Sequence, residues 1–190
     1  MVLYSYAPIA EGRSPLPPTL EDYAKTSAPK NADARRAALS LLAELSATSG
    51  LPVAFPVGTD ENGRPHFDGV GAPDFNLSHS GGLAAAVLGT CRVGIDIQEE
   101  LPSLDTAKLA ARFFGKNEQA RLQGAPRHLF FELWTKKEAL GKLLGQGLSP
   151  LLGKDTDEIA KEYGVFFVTE RLSLDHTTYT LTVCATETIN

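Results

Sequence analysis

Three clusters hold residue types that do chemistry. The first is Asn76-Leu-Ser-His-Ser-Gly-Gly82. A Ser78-His79 pair suggests a hydrolase. Neighbours on a strand point to opposite faces, however, so these two cannot share a nucleophile–base hydrogen bond there. A strand end rich in Ser, His and Gly suits anion binding through hydroxyl, imidazole and backbone N–H groups. It also reads as an ordinary loop junction. The second cluster is Val93-Gly-Ile-Asp-Ile-Gln98. A carboxylate in an apolar strand needs a reason, because an unpaired buried charge is costly. Asp96 either faces water, pairs with an arginine, or ligates a hard cation with Gln98 as a neutral oxygen donor on the same face. The third is Trp134-Thr-Lys-Lys-Glu-Ala-Leu-Gly-Lys142. On a helix Trp134, Glu138 and Lys142 form one stripe. The plain reading is a Glu–Lys pair beside a core tryptophan. The chemical reading gives Glu138 a metal or a proton and Lys142 a phosphate.

The clusters read better together than singly. Two carboxylates and a glutamine can hold Mg²⁺, which prefers oxygen, keeps waters and recruits substrate phosphates. No Walker-A or GxGxxG loop is present, so neither an ordinary NTPase nor a dinucleotide enzyme is indicated. The net charge of −5 discourages nucleic-acid binding, yet eight basic and three acidic residues between Thr106 and Lys142 make that segment +5. Such an island is either a solvated helical face or a site for an anionic partner.

The elements that must position these residues follow from periodicity. Residues 13–30, with four prolines, read as loop with a short helix near Leu20–Lys25. A helix is expected over Asp33–Ser46, capped by Asn31 or Asp33 and ended by Gly50. Asp60-Glu-Asn-Gly63 marks a turn. Phe75–Ser80 reads as a strand, and 83–98 as an antiparallel hairpin with Val93, Ile95 and Ile97 on one face. Short helices are expected over 104–114 and 117–122, a long one over 127–144, another over 154–163, then strands at Val165–Thr169 and Tyr179–Ala185. That order favours α+β with antiparallel sheet. At 190 residues, 43% hydrophobic, the chain has room for one compact domain or two packed halves. Two cysteines, Cys91 and Cys184, exclude a disulfide framework, and the four histidines give no zinc spacing. No apolar run approaches the roughly 20 residues of a membrane helix, and no secretory signal is visible, so a cytoplasmic location is expected.

In order and spacing, Phe75-Asn-Leu-Ser-His-Ser, Val93-Gly-Ile-Asp-Ile, Phe113-Phe-Gly-Lys-Asn-Glu118 and Trp134–Lys142 resemble the motifs of the 4'-phosphopantetheinyl transferase family. Gly63-Arg-Pro65 and Asp33-Ala-Arg-Arg36 resemble its upstream elements. The resemblance spans roughly Asp33 to Gly147. It implies transfer of 4'-phosphopantetheine from coenzyme A to a serine of an acidic apo carrier protein, with Mg²⁺, releasing 3',5'-ADP. The length fits the Sfp-type branch, which implies a monomer of two similar halves, each an antiparallel sheet packed with a main helix. The halves are expected at 1–94 and 95–190, with coenzyme A between them.

Carried over by position, Asp96 and Glu138 resemble the metal carboxylates, with Glu138 also the general base toward the serine. Lys142 would hold the diphosphate and assist the leaving group. Ser78 and His79 would contact coenzyme A phosphates, and Arg64 and Arg36 the adenosine end. Glu118 resembles the acid after the Phe-Phe pair, with a structural role open. Gln98 stands where many relatives have Glu, so Mg²⁺ would be held more weakly or through water. Two other classes remain to be weighed: a coenzyme A or carrier-protein binding module without catalysis, and a serine hydrolase on Ser78 or Ser80.

Overall fold

Backbone pairing divides the chain differently from the expected 83–98 hairpin. The computed structural model describes residues 1–10 and 15–189, so positions 13 and 14 of the expected loop lie outside the described residues. The chain starts with β1 (Val2–Pro8), then the short α1 (Pro18–Ala24) and α2 (Ala32–Ser49). Alanine and leucine favour α2, and its buried Ala37, Ala38, Leu41 and Leu45 repeat at helical spacing. Gly50, at φ 75°, ends it as a left-handed cap. Asn31 holds the N-cap position without a side-chain bond, so the expected capping is absent; Asp33 lies in the first turn, where its charge suits the helix dipole. β2 (Val57–Thr59) and β3 (Pro65–Phe67) form a small hairpin around the expected turn. β4 (Asp74–Ser80) and β5 (Leu83–Gly89) follow.

The second part begins with β6 (Val93–Glu99). Next come α3 (Thr106–Phe113), α4 (Lys116–Leu122), α5 (His128–Leu144) and α6 (Thr156–Tyr163), then β7 (Phe166–Leu174) and β8 (Thr177–Ala185). Asp105 caps α3 by accepting from the Lys108 N–H at 3.0 Å.

The described residues form two larger sheets, ordered β1-β5-β4 and β6-β8-β7, both antiparallel. β5 therefore pairs with β1 and β4, and β6 with β8. The expected hairpin is corrected to β4–β5, turning at Gly81-Gly82, while residues 90–92 carry the chain into the other sheet. All of β5 is buried because both its faces are covered. Ala84, Ala86 and Leu88 meet α2, while Leu83, Ala85 and Val87 meet Ile95, Ile97, Leu181 and Val183 of the second sheet. α5 covers the far face of that sheet, with Ala139, Leu140 and Leu143 against Cys184. The layers thus run helix, sheet, sheet, helix, an α+β fold with a helix-backed antiparallel sheet in each half.

The two sheets join along β4 and β6 through side chains. The Val93, Ile95, Ile97 and Glu99 N–H groups donate to Asp74 Oδ2, Asn76 Oδ1, Ser78 Oγ and Ser80 Oγ at 2.9, 3.3, 3.2 and 3.0 Å. Every second residue of β4 is polar for this reason. The amides of β6 on this edge would otherwise be buried without partners.

Candidate active site

A groove of about 340 Å³ runs between the two parts of the chain, walled by α2, the β2–β3 turn, β4 and the end of α5. It continues into a smaller recess of about 240 Å³ holding Asp96, Gln98, Trp134 and Glu138. Ser78, His79 and Lys142 line both. The expected stripe Trp134, Glu138, Lys142 faces one recess.

Lys142 is the meeting point. Its Nζ donates to Asp96 Oδ1 at 2.7 Å, Ser78 Oγ at 2.9 Å and the Ile95 carbonyl at 3.1 Å. Gly94 lets α5 approach β6 this closely: a Cβ there would lie 2.2 Å from the Ala139 carbonyl oxygen. Ser78 donates to Asp96 Oδ1 at 2.9 Å and accepts from the Ile97 N–H. Ser80 accepts from Glu99 and Gln98. Both hydroxyls are engaged with β6 rather than with an imidazole, so neither forms the Ser–His pair that the sequence suggested.

Burial pushes the Glu138 carboxyl up to about 7; the charge of Asp96 adds to the rise and Lys142 opposes it. Two carboxylates crowded in a half-buried recess have an excess of negative charge that a divalent cation relieves. Gln98 donates its Nε2 to Ser80 and the Glu99 carbonyl, which leaves its amide oxygen as the remaining acceptor. Among the described residues no three His, Cys, Asp or Glu gather as a closed cage. This oxygen set fits Mg²⁺, which keeps waters and takes ligands from a bound phosphate. The His79 imidazole is pushed down, first by burial and then by Lys142 and Arg35, which favours the neutral ring.

Other predicted residues fall elsewhere. The Arg36 guanidinium pairs with Glu21 at 2.9 Å and faces a separate depression beside Gly81 and Gly82. Arg35 lines the main groove instead, its Cζ 4.7 Å from the Tyr23 ring centre. Arg64 reaches the groove wall but is 5% exposed and ion-paired with Asp74 at 2.7 Å. Glu118 is structural: buried, it accepts from Gly115 and Thr156 and pairs with the equally buried Lys137 at 3.1 Å. The basic segment likewise disperses. Arg121 pairs with Asp157, Arg127 holds the Leu101 and Leu104 carbonyls, and Arg112 stacks on Phe113, whose ring meets Trp134 edge-on at 5.2 Å.

Residues 92–184, which hold Asp96, Glu138 and Lys142, match the sequence profile of the 4'-phosphopantetheinyl transferase superfamily. The similarity to that superfamily covers 93 of the chain's 190 residues. It is 38% identical over 121 residues to 4'-phosphopantetheinyl transferase psf-1 of Bacillus pumilus, covering 62% of this chain and 46% of that one. It is 36% identical over 96 residues to 4'-phosphopantetheinyl transferase Sfp of Bacillus subtilis (48% and 42%). To 4'-phosphopantetheinyl transferase HetI of Nostoc it is 43% identical over 82 residues (40% and 35%). The chain thus spans less than half the length of each of these curated relatives. Its likeness to Sfp and psf-1 is a likeness to the Sfp-type branch. No helix among the described residues is long and apolar enough to cross a membrane.

Proposed function

We propose that the chain transfers 4'-phosphopantetheine from coenzyme A to a serine of an acidic apo carrier protein, acting as a monomer in the cytoplasm. The halves are 1–94 and 95–190, and coenzyme A lies in the groove between them. The observation that carries this reading is the convergence of Asp96, Glu138 and Lys142 in a recess that shares Ser78, His79 and Lys142 with the groove. Asp96 and Glu138 would hold Mg²⁺, with the Gln98 amide oxygen as a further acceptor, direct or through water. When bound, Mg²⁺ supplies charge stabilisation to the diphosphate.

Glu138 takes the proton of the incoming serine hydroxyl. The serine oxygen bonds to the phosphorus bearing pantetheine as the bridging P–O bond breaks, and 3',5'-ADP leaves. Lys142 meets the charge developing on the bridging oxygen. Ser78 orients Lys142 and Asp96, and His79 donates to a phosphate oxygen. Arg112, beside Phe113 and Trp134, faces the carrier. The test is intact-mass analysis of a panel of apo carrier proteins incubated with coenzyme A and Mg²⁺. A gain of one phosphopantetheine on a serine supports the reading. Coenzyme A binding without mass gain on any carrier points instead to a non-catalytic binding module.

A further inference from the structure

Arg64 is buried and its hydrogen-bonding capacity is fully committed inside the protein. Nε donates to the Lys142 carbonyl at 2.9 Å. The terminal nitrogens grip Asp74 at 3.0 and 2.7 Å and donate to the carbonyls of Pro65 at 3.2 Å and Val93 at 3.0 Å. A guanidinium has five N–H donors, and these contacts use all five. None remains for a phosphate. One residue further along α5, Arg92 Nε donates to the Leu143 carbonyl at 2.9 Å. The last carbonyls of a helix lack intrahelical partners, and cations at that end suit the dipole. Two arginines from outside α5 therefore clamp its final turn, the turn that carries Lys142.

We propose that Arg64, held by Asp74 and assisted by Arg92, is a positioning residue that sets where the Lys142 ammonium stands over Asp96 and Ser78. This rests on the transferase reading for the role of Lys142, and it replaces the phosphate contact that the family resemblance gives Arg64. The Arg64–Asp74 pair binds α5, β4 and the start of β6 into one unit. A lysine in place of Arg64 keeps the charge but cannot hold four acceptors in one plane. Misplacing a catalytic group by about 1 Å can cost about 10²-fold in rate.

Two measurements test this. In the free protein, reductive methylation of lysines followed by peptide mass reads Lys142 directly. Arg64→Lys should speed its labelling about fivefold through local loosening, while buried Lys137 stays protected and reports an intact fold. Arg92→Gln, at an exposed position, should act in the same direction more weakly and stands in if Arg64→Lys does not fold. In turnover, Arg64→Lys should lower kcat by about 10- to 100-fold with little change in KM for coenzyme A. The same substitution in a Lys142→Ala background should cost less than about twofold, because its effect runs through Lys142. Unchanged Lys142 labelling overturns the proposal. So does an equal kcat loss in both backgrounds, or a raised coenzyme A KM at constant kcat. Failure of the wild type to modify any carrier would sink the transferase reading alone, since labelling still decides the clamp.

Discussion

Lys142 Nζ and Asp96 Oδ1 stand 2.7 Å apart across the contact between α5 and β6, with the Ser78 hydroxyl bonded to both. A cation from a helix, a carboxylate from one sheet and a hydroxyl from the other thus share one point. Changes at any of the three should be felt as changes in chemistry before they are felt as changes in fold.

Metal dependence should separate the recess residues. If Asp96 and Glu138 hold Mg²⁺ as proposed, Asp96→Ala and Glu138→Ala should each abolish Mg²⁺-dependent transfer while far-UV circular dichroism stays native, because each would remove a carboxylate ligand. Gln98→Glu should stay active and need less Mg²⁺. A Gln98→Glu protein with unchanged Mg²⁺ affinity would place Gln98 outside the metal's reach.

For Lys142→Ala the expected outcome is a fall in kcat of roughly 10²-fold, similar on every carrier, since the ammonium matters most when charge develops on the leaving oxygen. Steady-state kinetics on two unrelated carriers checks it. A loss confined to one carrier would make Lys142 a docking residue.

The basic residues of α3 and α4 should not behave alike. Arg112 stacks on Phe113 next to Trp134, while Arg121 is ion-paired with Asp157. Arg112→Glu is expected to raise KM for an acidic carrier several-fold and flatten its salt dependence, leaving KM for coenzyme A unchanged. Arg121→Glu and Lys116→Glu should do less. Equal effects at all three positions would mean a broad, unfocused field.

Glu138 gives a stability prediction with a definite sign. Its carboxyl is raised from 4.5 to about 7 in the folded protein. Its stabilising share is therefore fully present below about 4.5 and is lost as pH rises through about 7, on the order of 3 kcal/mol in the metal-free protein. His79, whose value is lowered, runs the opposite way and loses its share as pH falls. Comparing urea unfolding of wild type and Glu138→Gln cancels the histidine. The variant should gain on the wild type as pH rises, and Mg²⁺ should narrow the gap. Parallel curves would show that Glu138 titrates normally.

Much of this site was legible before any coordinates. The stripe Trp134, Glu138, Lys142 and the face shared by Asp96 and Gln98 follow from helix and strand periods alone. Pairing partners did not follow. The run Leu83–Leu88 carries no alternation because both its faces are covered, so nothing local said that it joins β1 and β4 rather than β6. The β7–β8 strands proved longer than expected because Asp175 and His176, at φ 47° and 67°, make a tight turn without glycine. Arg36 and Arg64 could not be placed from sequence, since the acids that claim them, Glu21 and Asp74, are 15 and 10 residues away.

The polar rungs between β4 and β6 have one more consequence. Backbone ladders accept almost any side chain, so strands joined that way can slip. Here the bonds depend on residue identity. A slip of one position would present Phe75 and Leu77 to the β6 amides and strand them at about 1–3 kcal/mol apiece. The seam therefore works as a coded lock: four short polar side chains, set two apart, exclude an odd-numbered slip of the halves and hold Ser78 against Asp96.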